Sequence, residues 1–217
     1  VYQNYDLMND ILSFGTHRIW KKQYIDSIEI SSKDQIIDMA SGTGDITKII
    51  LEKNPDQNIF RIEPNKNMLN YNIHEFQKFK NIKHLHNYAE NISLKDSSID
   101  SYLISFGLRN ITKIDLALSE AFRVLKKGGG FYSLEFYKVK KPLIKNFYNL
   151  YSKTIPYLGK VFNKNPKPYE YLTKSIEDFY TQEEINHKLY NSGFRNINVK
   201  NIFSGIASIH YAWKLNV

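Results

Sequence analysis

The sequence predicts an α/β protein built on a mostly parallel β-sheet. Apolar runs typical of strands alternate with segments of helical periodicity as far as about residue 136, which is the signature of consecutive βαβ units. A glycine-rich turn directly after the first apolar run is a second indication, because such turns join a strand to a helix in these folds. With 217 residues, 42% of them hydrophobic, the chain is predicted to form a single domain, 1–217, with a full core.

Five strands are predicted in the first part of the chain. They cover Gln35–Met39, Asn58–Ile62, Ile82–His86, Ile99–Phe106 and Gly130–Phe136. The helices predicted between them cover Gly44–Lys53, Lys66–Phe79 and Thr112–Lys126. In the last of these helices, Thr112 and Asp115 have the spacing of a capping box, and the glycines after Lys127 predict its end.

The rest of the chain is predicted to contain an insertion and a closing hairpin. Residues 138–180 are rich in aromatic side chains and broken by four prolines, which predicts a helical insertion over the carboxyl edge of the sheet. A helix follows, with a capping box at Thr181 and Glu184 and a stop at Gly193. Two strands, Ile197–Phe203 and Ile206–Lys214, are then expected to close the sheet.

Composition limits the chemistry without choosing a function. The absence of cysteine excludes disulfides and thiolate metal sites, and no His, Asp and Glu cluster has metal-ligand spacing, so no metal is predicted. The formal net charge of +8 suits nucleic acid, anionic lipid or an acidic partner. The alternative is that a chain heavy in Lys, Asn, Ile and Tyr reflects an AT-rich genome and that the charge serves no partner. No apolar run is long enough to span a membrane.

The stretch Ile36–Thr47 limits the type of ligand. Gly42 and Gly44 follow an apolar strand, where the backbone must turn sharply and approach a ligand closely. The loop lacks a Gly-Lys-Ser/Thr ending, which disfavours a nucleoside triphosphate. A dinucleotide would require a third glycine at Thr47, and Asp45 would repel its pyrophosphate.

S-adenosylmethionine fits this loop better than either phosphate ligand. It carries no phosphate, and its sulfonium and amino groups favour the negative surroundings that Asp38 and Asp45 provide. Glu63 ends the second predicted strand, where a carboxylate can accept hydrogen bonds from both ribose hydroxyls. An ordinary strand-to-helix turn without a ligand stays open as an alternative at this point.

Seven motifs along the chain resemble those of one protein family. They are "YDLMNDILSFGTHRIWK" (Tyr5–Lys21), "ASGTGD" (Ala40–Asp45), "SFGLRN" (Ser105–Asn110), "RVLKKGG" (Arg123–Gly129), "LEF" (Leu134–Phe136), "YLTKSI" (Tyr171–Ile176) and "SGIASIH" (Ser204–His210). In this order they closely resemble the ubiquinone/menaquinone biosynthesis C-methyltransferases, the UbiE/MenG family, through nearly the whole chain.

This resemblance implies a class I, Rossmann-like methyltransferase fold with a seven-stranded, mostly parallel sheet and an antiparallel last strand. It implies that a methyl group passes from S-adenosylmethionine to a ring carbon of a prenylated benzoquinol or demethylmenaquinol. It also implies a set of cofactor-binding residues, which are Gly42, Thr43, Gly44, Glu63, Tyr88, Ala89 and Ser105.

The chain departs from the family's pattern at three of its positions. Ser41 stands where the family usually has a second glycine, and Glu63 where Asp is common, although Glu keeps the carboxylate. Tyr88 stands where the family usually has Asp or Asn. A tyrosine cannot copy the hydrogen bond of those side chains to the adenine amino group, so we expect a backbone contact at Ala89 and an altered contact at Tyr88.

Arg109 is the candidate catalytic residue. It follows the fourth predicted strand at the carboxyl edge, where its fixed charge could stabilise a phenolate or orient a water, although it cannot itself act as a base. The alternative is that Arg109 and Asn110 only hold their loop in place. Further candidates for moving the proton are His17, His210, Tyr5 and Glu135, none of which the sequence singles out.

The expected partner is the prenylated quinol, and no nucleic acid is expected. The aromatic residues of the insertion either form a lid for the prenyl tail or cover the sheet as ordinary core; they are Phe147, Tyr148, Tyr151, Ile155, Tyr157, Leu158 and Phe162. We expect a cytoplasmic protein in peripheral contact with the inner membrane, on the matrix side if the host is a mitochondrion, and the family resemblance makes a homodimer reasonable. The alternatives are a methyltransferase acting on RNA or another small metabolite, and a non-catalytic methyltransferase-like module in a quinone-synthesis assembly.

Overall fold

A single β-sheet lies at the centre of the computed structural model, which describes residues 15–71, 73–138 and 167–215, the side chains of 167–170 excepted. The strands within these ranges are β1 (Gln35–Met39), β2 (Asn58–Ile62), β3 (Ile82–Leu85), β4 (Ile99–Ser105), β5 (Leu125–Phe136), β6 (Arg195–Ile202) and β7 (Ala207–Trp213). The helices are α1 (His17–Asp26), α2 (Asp45–Lys53), α3 (Lys66–Tyr71), α4 (Ile73–Phe76), α5 (Ile114–Val124), α6 (Lys167–Asp178) and α7 (Gln182–Asn191).

The order and direction of the strands confirm the predicted fold. The described part of the chain forms a seven-stranded sheet in the order β3-β2-β1-β4-β5-β7-β6. Strands β1 to β5 pair in parallel, whereas β7 runs antiparallel to both β5 and β6. The carboxyl ends of β1, β2 and β4 therefore meet at one edge, on both sides of the point where the strand order reverses, which is where open α/β sheets bind ligands.

Apolar side chains cover both faces of this sheet. On β1, Ile36 belongs to one core cluster and Ile37 to the other, because successive side chains of a strand point to opposite faces. Both are fully buried, as expected for a parallel strand covered by helices on both sides. On α5, the residues Ile114, Ala117, Leu118 and Ala121 are buried.

Two of the predicted helices have different bounds in the structure. The segment predicted as one helix over Lys66–Phe79 contains the short helices α3 and α4. The helix predicted over Thr112–Lys126 is α5, Ile114–Val124, and the predicted capping box at Thr112 is wrong, since Lys113 occupies the N-cap position without a side-chain capping bond. The three-residue spacing of Thr112 and Asp115 suited a capping box, but the helix begins one residue later than that spacing requires.

The glycines that were predicted to stop α5 belong to strand β5 instead. The helix ends at Val124, and the strand begins at once because Leu125 pairs with Ile99 of β4. A Cβ at Gly129 would lie 3.0 Å from the carbonyl oxygen of Asp100, so a glycine allows β5 to approach β4 closely. A glycine run between a helix and a strand thus served strand pairing rather than helix termination.

The carboxyl-terminal hairpin follows the prediction with small changes of bounds. The capping box of α7 is present, with the Thr181 backbone N–H donating to Glu184 and the Glu184 N–H donating to the Thr181 hydroxyl. A short turn at Phe203–Gly205 joins β6 to β7. Of the predicted insertion, residues 139–166, with all seven candidate lid residues, lie outside the described residues, as does Tyr5; 167–178 form α6.

Candidate functional site

A cavity of about 260 Å³ opens at the carboxyl edge of the sheet. Its walls come from the loops after β1, β2, β3 and β4, together with one side chain of α1. Of the sequence-predicted site residues, six line this cavity: Gly42, Thr43, Glu63, Tyr88, Ala89 and Ser105. The edge at which the parallel strands end therefore brings together residues that are far apart in the sequence.

Gly44, the N-cap residue of α2, belongs to the glycine loop but is not among the residues that line the cavity. Its φ of +85° lies in the left-handed region, and a Cβ there would come within 2.6 Å of the Phe76 ring. Gly42 has a φ of +51°, and the non-glycine Ala40 has a φ of +52°. Because three of the five residues 40–44 have a left-handed backbone, contacts with neighbouring elements must hold this loop in its conformation.

Glu63 is the residue that most directly shapes the loop. One carboxylate oxygen accepts the backbone N–H of Gly42 at 2.9 Å, and the other accepts that of Asn65 at 2.9 Å. Burial raises the pKa of Glu63, and these two N–H groups together with the charge of Arg61 oppose the rise. Each oxygen keeps a second lone pair, so the carboxylate can still accept hydrogen bonds from a ligand in the cavity.

Asp38 lies at the end of β1 and fixes the start of α2. Its carboxylate accepts the hydroxyl of Thr47 at 2.6 Å and the backbone N–H of Thr47 at 3.2 Å. Burial raises its pKa to about 6, against the opposing effects of these hydrogen bonds and of Arg61. Thr47, which occupies the position of a third dinucleotide-motif glycine, is thus a buried structural partner of Asp38.

Lys21 of α1 is a cavity residue that the sequence did not indicate. Its ammonium group donates to Asp45 at 2.8 Å, and its side chain is only 10% exposed. Although burial acts to raise the pKa of Asp45, the charge and hydrogen bond of Lys21 hold it below the usual range. A lysine in a helix rich in basic residues looks solvated in the sequence, and only the packing of α1 against α2 reveals its role.

Two serine hydroxyls in the cavity wall lack partners. Within the described ranges, the Oγ atoms of Ser41 and Ser105 are buried and make no hydrogen bond. A buried hydroxyl without a partner is costly, which indicates that a ligand or water satisfies it in the working protein. Ser41, the departure from the family's glycine, therefore adds a polar group to this wall.

Tyr88 and Ala89, in the loop after β3, also line the cavity. Tyr88 is 62% exposed at the mouth of the cavity, and its backbone pairs with Asn91 in an isolated bridge. Ala89 is buried beside it. An exposed ring with a buried small neighbour suits a flat aromatic ligand, which can lie against both.

Arg109 is placed beneath the cavity rather than in its wall. It forms a fully buried ion pair with Glu135, with 2.6 Å between Nη1 and Oε1. The same guanidinium nitrogen donates to the carbonyl of Phe106 at 2.8 Å, and Nε donates to Ser175 of α6 at 3.3 Å. These contacts favour the alternative in which Arg109 holds the loop after β4, whose next residues, Asn110 and Ile111, do line the cavity.

Three of the other four candidates for proton transfer are also buried. His17 and Glu135 are fully buried, and so is His210, whose Nδ1 lies 3.2 Å from the Tyr137 hydroxyl. Burial lowers the pKa of His210 to about 4. None of these three side chains is among those described as lining the cavity.

His210 is expected to make stability depend on pH. Its folded pKa of about 4 lies below the ordinary value of 6.5, so its contribution is present above pH 6.5 and is lost as the pH falls toward 4. Replacing His210 by glutamine should therefore cost about 2 kcal/mol less at pH 5 than at pH 7.5. Urea unfolding of both proteins at the two pH values measures this difference. Tyr137→Phe keeps the imidazole and should retain the pH dependence, and an unchanged cost for His210→Gln would contradict the prediction.

The described residues contain neither a membrane-spanning helix nor a group of side chains suited to a metal ion. Among residues 15–71, 73–138 and 167–215, no helix is both long and apolar enough to cross a bilayer. The same residues contain no group of three or more acidic or histidine side chains arranged to hold a metal ion.

The chain matches known proteins over nearly its full length. The model of the ubiE/COQ5 methyltransferase family matches residues 1–214. The ubiquinone/menaquinone biosynthesis C-methyltransferase UbiE of Rickettsia bellii (strain OSU 85-389) is 41% identical over 223 residues, which cover 99% of this chain and 90% of that protein. The protein of the same name from Bartonella quintana (strain Toulouse) is 39% identical, covering 99% and 85%.

Solved structures share the fold at low sequence identity. A SAM-dependent methyltransferase from Aquifex aeolicus superposes with a TM-score of 0.68 at 15% identity, covering 96% of this chain and 98% of its own. Phosphoethanolamine N-methyltransferase 2 from Haemonchus contortus, in complex with S-adenosyl-L-methionine, superposes with a TM-score of 0.69 at 14% identity, covering 91% and 53%. At such identities the likeness concerns the fold alone.

Proposed function

Since this chain belongs to the ubiE/COQ5 methyltransferase family, we propose that it methylates a ring carbon of a prenylated quinol. The acceptor is a 2-polyprenyl-6-methoxy-1,4-benzoquinol, a demethylmenaquinol, or both. Family membership makes the chain an S-adenosylmethionine-dependent C-methyltransferase of quinone biosynthesis. The observation that supports the proposal most is the cavity in which the glycine loop, Glu63 and the loop after β4 face one another.

The residues of this cavity fit S-adenosylmethionine. Glu63 offers carboxylate oxygens to the ribose hydroxyls, and Tyr88 and Ala89 flank the place of the adenine. The glycine loop, with Thr43 and the acidic Asp38 and Asp45 in the same wall, would surround the sulfonium and the amino group. The unpartnered hydroxyls of Ser41 and Ser105 supply further contacts that a polar ligand would satisfy.

The reaction requires little covalent participation by the protein. When bound, the cofactor would supply an electrophilic methyl group to a ring carbon of the deprotonated quinol, with S-adenosylhomocysteine and one proton as the other products. The residues of this chain hold the two reactants in line and exclude water. Arg109 takes part as a positioning residue for the loop that carries Asn110.

Peripheral contact with a membrane is part of the proposal. Phe203, at the turn after β6, is 71% exposed, and its ring centroid lies 6.5 Å from that of Trp20 on α1. Because β6 runs parallel to β5, this turn lies toward the same edge of the sheet as the cavity. An exposed aromatic ring at this edge of the sheet would suit an apolar tail that is collected from a bilayer. A homodimer stays a prediction.

One assay tests both parts of the proposal. Purified protein with S-adenosylmethionine is given short-chain demethylated benzoquinol and demethylmenaquinol, in detergent or in anionic vesicles, and the products are identified by mass spectrometry. We expect the ring-methylated quinol and an equal amount of S-adenosylhomocysteine, with the protein pelleting with the vesicles. Methylation of RNA instead, or cofactor binding without any methylated quinol, would overturn the proposed substrate.

A further inference from the structure

Arg61 is a buried cation that neither the motifs nor the proposed reaction accounts for. It is the last but one residue of β2, and it has no solvent exposure. Burying a guanidinium group is costly, and arginine is almost never fully buried without partners. The position of its partners shows what this cation does.

Arg61 and Glu63 hold the same residue of the glycine loop, Gly42, through the two peptide groups that flank its Cα. One guanidinium nitrogen of Arg61 donates to the carbonyl oxygen of Gly42 at 3.1 Å. Glu63 accepts the N–H of Gly42 at 2.9 Å. The two side chains reach the same face of the sheet because they are two residues apart on the strand and its end. The left-handed Gly42 is thus clamped by a cation and an anion from one neighbouring strand.

A second set of contacts fixes the guanidinium itself. Its plane centre lies 4.1 Å from the centroid of the Phe76 ring on α4, and Nη1 lies 3.5 Å from Nδ1 of His84 on β3. The same Phe76 ring lies where a Cβ of Gly44 would be, so this ring, Arg61 and the glycine loop pack as one unit. A planar cation can stack and donate at once, which a lysine ammonium cannot do.

The charge of Arg61 acts on the carboxylates around the loop. It opposes the burial that raises the pKa of Asp38 and of Glu63, and Glu75 on α4 is a third acid in its field. His86, after β3, also faces Glu63, and Lys21 of α1 faces Asp38. Without Arg61, the acids nearest the loop would gain protons more easily.

We infer that Arg61 is a positioning residue for cofactor binding, which holds Gly42 in its ligand-binding shape together with Glu63, the proposed ribose acceptor. This rests on the proposed function only as far as the cofactor site, not on the identity of the quinol. It assigns to β2 the task of setting both the shape and the charge of the cofactor loop.

The first measurement needs no cofactor. Carbon-13 NMR of the Glu63 carboxyl group is followed against pH in the wild type and in Arg61→Met, each also with His86→Gln to remove the histidine that faces Glu63. We expect Arg61→Met to raise the pKa of Glu63, because the variant removes the positive charge that opposes the effect of burial. An unchanged Glu63 titration in the folded variant would overturn the electrostatic part of the inference.

The second measurement is calorimetry with S-adenosylmethionine and S-adenosylhomocysteine between pH 6 and 8.5. Arg61→Met should weaken binding of both by about ten-fold or more at pH 7, and less at the highest pH. Arg61→Lys keeps the charge but not the stacked, forked contact and should lie in between. Phe76→Leu removes only the stacked ring and should weaken binding least.

Each outcome has a distinct meaning. Equal cofactor affinities in the wild type and both Arg61 variants would overturn the inference. If Arg61→Met does not fold, Arg61→Lys alone decides, and an affinity equal to that of the wild type would then exclude the contacts of Arg61 as a determinant of cofactor binding. If the Arg61 variants bind the cofactor more weakly than the wild type does, but the wild type methylates no quinol, the proposed substrate is contradicted and the inference on Arg61 is supported.

Discussion

Replacing Arg109 by methionine is expected to lower the free energy of unfolding by about 3–5 kcal/mol. The substitution leaves the carboxylate of Glu135 buried without its cation, although that carboxylate still accepts the backbone N–H groups of Arg109 and Phe136 at 3.1 and 2.8 Å. It also removes the donor to the Phe106 carbonyl, whose residue has a left-handed φ of +54°. Urea unfolding at pH 7.5 measures the loss.

The double variant Arg109→Met/Glu135→Gln separates charge from packing. Glutamine keeps an acceptor for a backbone N–H but carries no charge, so the double variant should be more stable than Arg109→Met alone. Arg109→Lys keeps the charge and should fall between Arg109→Met and the wild type. If all three variants unfold like the wild type, the buried pair does not hold the loop. That result would instead favour the role predicted from the sequence, in which Arg109 contacts the substrate.

The Arg109 pair also shows why a motif does not reveal how its residues act. The motif "SFGLRN" predicted a site at the end of β4, and in the structure Ser105 and Asn110 line the cavity. Nothing in that motif indicates that Glu135, 26 residues later, neutralises the arginine. The strand pairing of β4 with β5 brings the two together, and pairing between separate strands is a long-range property.

Local patterns predicted the elements whose signals are local. The apolar runs gave β1 and β2 with the bounds that the structure has, and the capping box of α7 is formed as expected. The glycines after Lys127 misled because the same residues suit a helix stop and a close strand approach, and only the neighbour β4 distinguishes the two. Residues that act through distant partners, such as Lys21 and Arg61, carried no recognisable signal.

Glu63→Gln is expected to weaken the binding of S-adenosylmethionine by about ten-fold or more, with a smaller effect on folding. The carboxylate serves two backbone N–H groups, those of Gly42 and Asn65, and is proposed to serve the ribose as well. An amide has one acceptor oxygen, so either a loop N–H or the ribose loses its acceptor, and the –NH₂ group meets a donor instead. Because burial already raises the pKa of Glu63, loss of this charge relieves a desolvation cost, which limits the effect on stability.

Two matched variants make this expectation specific to the ribose contact. Glu90→Gln removes the same charge from another part of the cavity wall. Glu90 accepts a long hydrogen bond of 3.3 Å from the Lys113 N–H, so this variant should change cofactor affinity little. Glu63→Asp keeps the carboxylate on a shorter stem and should bind better than Glu63→Gln. Calorimetry with S-adenosylmethionine and with S-adenosylhomocysteine gives the comparison, and both ligands should respond alike because they share the ribose. Equal losses for Glu63→Gln and Glu90→Gln would mean that net charge, rather than the position of Glu63 beside the glycine loop, determines cofactor affinity.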